Sequence, residues 1–245
     1  MNVLEVQGLT KHYPAFTLNG VSFAVPEGAV MGFIGRNGAG KSTTLKSILG
    51  MVHPDAGDVN MFGMDYAANE RAIRRELGVV LGGIDFYPKK KIRVITDVTR
   101  RFYDNWDENK YRHYLRLFAI DEEKRVDELS SGMKVKYMIA LALSHNAKLL
   151  ILDEPTSGLD PVSRDELAEL LRRIVADGTR SVLFSTHITS DLEKCATHIA
   201  FIKDGELQYT GSLEDFRAHY KDVGTTLEDI IVHVERRPLD EDAIL

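Results

Sequence analysis

The sequence predicts an α/β protein with an antiparallel β subdomain and an α-helical subdomain inserted into the core. Three observations support this fold class. Apolar runs with β character fill residues 3–34, helical spacing replaces them from about residue 82, and buried strands alternate with helices again after residue 146. The expected divisions are a core of residues 1–81 and 146–220, a helical subdomain of about 82–145 and a short tail of 221–245.

The first 81 residues contain mainly strand patterns. Residues 3–7 alternate between apolar and polar side chains, and residues 29–34 form a continuous apolar run typical of a buried strand. Helical spacing is limited to the stretch after Lys41 and to residues 69–76. The other predicted strands are 16–25, 58–62 and 77–81.

The middle of the chain loses the β pattern. Residues 107–119 place Tyr111, Leu115 and Phe118 at helical spacing, and residues 131–143 form a second predicted helix. Five aromatic side chains are expected to form the core of this subdomain rather than a ligand site. They are Phe86, Tyr87, Phe102, Tyr103 and Trp106.

The α/β pattern then returns. Residues 149–152 and 181–185 are apolar runs typical of buried strands, and each precedes a helical pattern. A hairpin is predicted to turn at Asp204 and Gly205. The predicted helices are 161–176 and 189–195.

Composition and charge restrict the possible functions. A net charge of −6 does not favour a broad nucleic-acid surface. The lone Cys195 cannot form an internal disulfide, which suits a reducing compartment, and we expect it to be a packing residue. No secretory signal and no apolar run of the about 18 residues of a membrane helix is visible, so we expect a cytoplasmic protein. Lys89, Lys90 and Lys91 form either a solvated loop or a partner contact.

The stretch GRNGAGKST at residues 35–43 carries the strongest chemical signal. It contains G-x-x-x-x-G-K-S between a predicted buried strand and a helix, which is the pattern of a P-loop. Its glycines allow successive backbone N–H groups to point at a phosphate chain. Lys41 supplies charge for the β- and γ-phosphates, and the Ser42 hydroxyl suits Mg²⁺. We prefer this interpretation to a glycine-rich turn without a ligand.

Two further motifs fit a nucleotide site. The strand at 149–152 ends in Asp153, which could hold Mg²⁺, and in Glu154, which could polarise an attacking water. Ser130 and Gly132 begin a helix, where they could contact a phosphate. The alternative for the acidic pair is a helix cap or a surface turn, and the alternative for Ser130 is a plain helix N-cap.

Five motifs in this order resemble the ATP-binding cassette (ABC) family, in particular the nucleotide-binding domains of membrane transporters. They are the P-loop, L-S-S-G-M at 129–133, L-I-L-D-E-P at 150–155, T-S-G-L-D at 156–160 and S-T-H at 185–187. The resemblance covers about residues 3–220 and implies the ABC ATPase fold, with a P-loop NTPase core.

The resemblance implies a role for each matching residue. Tyr13 would stack on adenine, Ser130 and Gly132 would contact the γ-phosphate of an ATP held by the other protomer, and Asp160 would couple the two sites. Catalysis would rest on Glu154 as the base, on His187 as the switch histidine and on Lys41. Mg²⁺ would be held by Ser42 and Asp153. The implied nucleotide contacts are Tyr13, Gly35, Asn37, Gly38, Gly40, Lys41, Ser42, Thr43, Ser130, Gly132 and Asp160.

The resemblance also implies partners. Two cassettes, identical or different, would close around two ATP molecules and drive a separate membrane permease, so the chain would lie at the inner face of the membrane through that permease. No nucleic-acid partner is expected. The alternative is an ABC-type ATPase that acts as a clamp or sensor on a non-membrane partner.

The sequence departs from the family pattern at two places. The usual glutamine after the strand at 77–81 is replaced by Gly82, and we expect Asp85 or a water to take its position. Ser131 and Met133 stand where the signature usually has glycine and glutamine. In these two departures the sequence is similar to cassettes that export peptides or antimicrobials.

Overall fold

The computed structural model describes residues 1–81 and 87–236, which form two β-sheets and surrounding helices. The strands are β1 Asn2–Tyr13, β2 Phe16–Pro26, β3 Val30–Ile34, β4 Ala56–Met61, β5 Met64–Asp65, β6 Leu77–Val80, β7 Leu149–Asp153, β8 Ser181–Thr186, β9 His198–Lys203 and β10 Glu206–Ser212. The helices are α1 Lys41–Ile48, α2 Tyr66–Arg75, α3 Ile92–Thr99, α4 Glu108–Leu117, α5 Ser131–Ser144, α6 Pro161–Val175, α7 Thr189–Cys195, α8 Leu213–His219 and α9 Leu227–Glu235.

The larger sheet has the strand order β10-β9-β3-β8-β7-β6. Strands β9, β3, β8, β7 and β6 are parallel, and β10 pairs antiparallel with β9 through the predicted hairpin. Every residue of β3, β7 and β8 is buried, as their continuous apolar sequences predict. Because the carboxyl ends of parallel strands meet at one edge, the residues that follow these three strands come together there.

The smaller sheet has the order β2-β1-β4-β5 and is antiparallel, which confirms the predicted antiparallel subdomain. Its inner side packs on β3 and α1 in one apolar cluster that includes Leu18, Phe33 and Leu45. The rings of Phe23 and Phe33 stack with centroids 5.3 Å apart. This packing fixes the start of α1 between the two sheets.

The inserted subdomain has an apolar core of its own. Helices α3, α4 and α5 contribute to it, and the Thr96 hydroxyl lies 2.7 Å from the Tyr111 hydroxyl and 2.8 Å from that of Tyr137. Helix α3 is not among the predicted elements. Its sequence is rich in β-branched residues, which have low helix propensity, and the burial of Ile92 and Ile95 stabilises it instead.

The aromatic residues of the insertion do not behave as one group. The prediction that they form the subdomain core is wrong for Tyr87 and Phe102, each of which is 69% exposed. Trp106 packs against the core, whereas Tyr103 stacks on His145 and lines a groove together with Leu77 of the main domain. Phe86 lies outside the described residues.

The C-terminal region folds back onto the larger sheet as far as it is described. Helix α9 lies within the expected tail of 221–245, and its Leu227 and Ile230 are buried in the same cluster as Cys195. The Lys203 ammonium donates to the Val234 carbonyl over 2.7 Å. Cys195 is a buried packing residue, as predicted, and burial raises its pKa to about 12.

The helices of the described ranges are too short or too polar for a membrane span. None of them combines the length and the apolar composition needed to cross a bilayer.

Candidate nucleotide-binding site

The loop between β3 and α1 is shaped by its glycines. A Cβ at Gly35 would lie 2.3 Å from the Ile202 carbonyl oxygen, and one at Gly40 would lie 2.9 Å from Cζ of Phe16. Gly40 also has a φ of 112°, which side chains with a Cβ rarely adopt. Only glycine therefore fits these two positions, and the backbone can curl as phosphate binding requires.

Lys41 is held inside this curl. Its side chain is 5% exposed, its ammonium donates to the Gly35 carbonyl over 2.7 Å, and it lies 3.1 Å from Oε1 of Glu154. A buried ammonium needs such partners because its desolvation is costly. The positive charge is thus fixed between the loop and the end of β7.

Asp153 and Ser42 meet at the same edge of the sheet. Oδ1 of Asp153 accepts hydrogen bonds from the Ser42 hydroxyl over 3.3 Å and from the Ser185 hydroxyl over 2.6 Å. The Ser185 oxygen in turn accepts from the Glu154 backbone N–H over 2.9 Å. Ser185 therefore orients both acidic residues. The sequence analysis assigns no role to Ser185, although its place in the S-T-H motif, as the polar last residue of the buried run at 181–185, was an available signal.

Glu154 follows β7 and contacts both the phosphate loop and the residue after β8. Its φ is 49°, an uncommon value for a residue with a side chain, which is found mainly where surrounding contacts enforce it. Its Oε2 lies 2.8 Å from Nδ1 of His187, which follows β8. The carboxylate thus touches both Lys41 and His187, so all three predicted catalytic residues form one cluster.

The signature residues lie on a different element. Ser130 is exposed and caps α5, since its hydroxyl accepts from the Met133 N–H over 3.2 Å. The nearest atom to a Cβ at Gly132 is the Ser163 hydroxyl, 3.5 Å away in α6. The N-cap that the sequence left as an alternative is therefore present, and an exposed serine can also contact a ligand from outside.

Asp160 is the N-cap of helix α6, whose Ser163 lies near Gly132. Its carboxylate accepts from the Val162 N–H over 3.0 Å and from both the N–H and the hydroxyl of Ser163. Those hydrogen bonds, with the one from the Ser163 hydroxyl the strongest, lower the pKa of Asp160, so the carboxylate is ionised at neutral pH.

Tyr13 lies at the end of β1, where the residue is 41% exposed. It pairs in the sheet with Phe16, whose ring lies against the backbone of Gly40. Tyr13 is therefore linked to the phosphate loop through Phe16. The predicted position of the missing glutamine, with Gly82 and Asp85, lies outside the described residues.

The described donors fit magnesium bound together with a nucleoside triphosphate. Hydroxyl and carboxylate oxygens, here of Ser42 and Asp153, are the ligands that Mg²⁺ prefers. Among the described residues no group of three His, Cys, Asp or Glu side chains could hold a metal ion. Phosphate oxygens would have to complete the coordination, which is typical of this ion.

A glycine-shaped loop after a parallel strand, with a buried lysine and carboxylates at the next strand ends, defines a P-loop nucleoside triphosphatase. The model of the ABC transporter family matches residues 18–157, more than half of the sequence. The chain belongs to that family.

Individual relatives agree with this assignment. Bacitracin transport ATP-binding protein BcrA of Bacillus licheniformis is 32% identical over 208 residues, 84% of this chain and 68% of that protein. Nod factor export ATP-binding protein I of Burkholderia orbicola is 35% identical over 208 residues, with coverage of 82% and 68%. A solved ATP-binding subunit of an ABC transporter has a TM-score of 0.84 and 29% identity, and covers 96% of this chain and 100% of that one.

The predicted family and the ABC ATPase fold are thereby confirmed. The predicted activity class, an ATPase coupled to transport, is confirmed as well. The roles of single residues stay predictions.

Proposed function

We propose that two copies of this chain, or this chain and a related one, close around two MgATP molecules and drive a separate membrane permease. The observation that carries this proposal is that some predicted site residues already contact one another, whereas the signature serine is exposed and caps its own helix. Lys41, Glu154 and His187 are joined by short contacts, and Asp153 is linked to Glu154 through the Ser185 hydroxyl. Ser130, in contrast, is exposed. An exposed signature serine is available to the γ-phosphate of an ATP in a second copy.

Within one copy, the described contacts support a different role in ATP hydrolysis for each residue of the site. Lys41 stabilises negative charge on the phosphates, and bound Mg²⁺, held by Ser42 and Asp153, would neutralise further charge. Glu154 accepts the proton of the attacking water, and its contact with His187 at 2.8 Å orients it. Ser185 keeps the backbone and side chain of this acidic pair in place.

A groove between the main domain and the insertion is the proposed permease contact. It has a volume of about 950 Å³ and includes Met51 and Phe102, which are 57% and 69% exposed. Exposed apolar side chains in a groove are typical of partner sites. Arg71 and Arg101 also line it, so an apolar segment with acidic residues would fit.

The three lysines fit a partner contact less well than this groove. Lys89 lies 2.8 Å from Asp127, and Lys91 lies 2.7 Å from Glu123, so two of the charges are paired within the insertion. We therefore place the proposed permease contact at the groove. Membrane association of the chain would follow from that contact.

The direction of transport is proposed from the relatives. Of the two named above, one is a bacitracin transport protein and one a Nod factor export protein. We infer that this chain serves an exporter, with selectivity determined by the permease.

The ATPase rate of the wild type and of Glu154→Gln tests the catalytic core of this proposal. Wild type should hydrolyse MgATP, and the variant should lose about 100-fold or more of the rate because the base is removed. Glu214→Gln, an exposed change on α8, should retain the wild-type rate. Equal rates for wild type and Glu154→Gln would contradict the assignment of the base.

A further inference from the structure

The end of strand β1 is held by the side chain of Asp55, which lies in the connection between α1 and β4. The carboxylate of Asp55 accepts from the Lys11 ammonium over 2.8 Å and from the His12 backbone N–H over 2.7 Å, and lies 3.1 Å from His12 Nδ1. The hydrogen bond from Lys11 and those from His12 hold the pKa of Asp55 well below its usual range. The carboxylate is therefore ionised under all ordinary conditions.

These contacts begin where the sheet ladder stops. The pairing of β1 with β4 ends at Thr10 and Ala56, after a register shift. Beyond it, the Asp55 side chain contacts the next two residues of β1, which lead directly to Tyr13. The carboxylate thus takes over the role of the missing strand partner on this side of the hairpin.

The other side of the hairpin is fixed to the phosphate loop. Phe16, the partner of Tyr13 in β2, has its ring against Gly40. The Gly205 N–H donates to the Ala39 carbonyl over 3.0 Å, and the Asn19 N–H donates to the Gly205 carbonyl over 2.9 Å. The position of Tyr13 relative to the phosphates therefore depends on two attachments, one of which is Asp55.

We propose that Asp55 is a positioning residue that holds Tyr13 in place for the base of the bound nucleotide. This inference rests on the proposed contact of Tyr13 with adenine. Stacking of a base on an aromatic ring strengthens binding about 5- to 150-fold, but only when the ring is held at the correct distance from the other contacts. Asp55 would thus affect affinity for the base and leave affinity for the phosphates unchanged.

A purely structural role makes a different prediction. If Asp55 only stabilised the sheet, its removal would lower the melting temperature and change the binding of all phosphate ligands alike. The two roles are separated by the ratio of affinities for ATP and for inorganic tripolyphosphate, which has the phosphates but no base.

Competition against a ribose-labelled fluorescent ATP, with Mg²⁺ present, measures both affinities. Asp55→Asn should weaken ATP binding about three- to tenfold and leave tripolyphosphate binding within about twofold, because one charged hydrogen-bond acceptor is replaced by a neutral group of equal size. Asp58→Asn, on an exposed residue of β4, is the matched control and should change neither affinity.

An unchanged ratio in Asp55→Asn, beside a lowered ratio in Tyr13→Ala, would overturn the role of Asp55 alone. An unchanged ratio in Tyr13→Ala would instead refute the proposed base contact on which the inference rests. The two failures are therefore distinguishable in one set of measurements.

Discussion

The sheet edge and the start of helix α5 differ in how their polar groups are satisfied. At the sheet edge, Lys41, Asp153 and Glu154 contact one another or shared neighbours at 2.6–3.3 Å, and the lysine is almost fully buried. At the start of α5, Ser130 is exposed and contacts the backbone of its own helix. The main domain therefore supplies one half of an ATP site, with its polar groups already in contact. The insertion supplies the other half, whose exposed residues would act on an ATP bound by a second copy.

Removal of Lys41 should give the largest effect on the first half-site. Lys41→Ala should weaken ATP binding about 1000-fold, because charge-assisted contacts to two phosphates are lost. Lys46→Ala, on the exposed side of the same helix, should bind ATP normally. Isothermal titration with ATP measures both, and tight binding by Lys41→Ala would show that the lysine does not reach the phosphates.

Ser130 tests whether the residues at the start of α5 act in catalysis and not in ATP binding to the single chain. Ser130→Ala should lower the ATPase rate about 100-fold, as removal of one donor to a transition-state charge does. ATP binding to the single chain should persist.

Ser212→Ala is the matched control for Ser130. Ser212 caps helix α8 as Ser130 caps α5, so both variants should lose about 1 kcal/mol of helix stability. Only Ser130→Ala should lose activity. A similar loss of ATPase activity in both variants would show that Ser130 acts only as a helix cap.

Acid should weaken the insertion through His145, which follows α5. The ring is 2% exposed and stacks on Tyr103 at 3.7 Å, and burial lowers its pKa from 6.5 to about 4. The unfolded chain therefore binds the proton more readily than the folded chain does. The contribution of His145 to the free energy of unfolding is fully present above about pH 6.5 and is lost as the pH falls toward 4. The loss between pH 7 and pH 5 should be about 2 kcal/mol.

His145→Phe should remove that part of the pH dependence, since phenylalanine keeps the stack and does not titrate. Urea unfolding at pH 7 and pH 5 measures it, with His113→Phe on the exposed side of α4 as control. An undiminished acid sensitivity in His145→Phe would assign the effect to other groups.

Ser185 should have the smallest of these effects. Ser185→Ala removes two hydrogen bonds that orient Asp153 and Glu154, and should lower the ATPase rate about tenfold and raise the Mg²⁺ concentration needed. Ser181→Ala, a buried serine at the opposite end of the same strand, should be as destabilising without this loss of activity. Equal activities would exclude a positioning role.

The sequence was most informative where a short motif fixes local geometry. Gly35, Gly40 and Lys41 adopt the predicted loop because strand, turn and helix are adjacent in the chain. Helix α3 was missed because its β-branched residues argue against a helix and only tertiary burial stabilises it. The role of Ser185 and the groove cannot be predicted from the sequence, because their contacts join residues that are far apart in it.

The mass of Glu154→Gln in solution with MgATP tests the two half-sites most directly. We expect light scattering to show two chains per particle with ATP and a single 27.5 kDa chain with ADP. Addition of Ser130→Phe should abolish the ATP-dependent pair. A single-chain mass for Glu154→Gln at saturating ATP would show that no second copy completes the site.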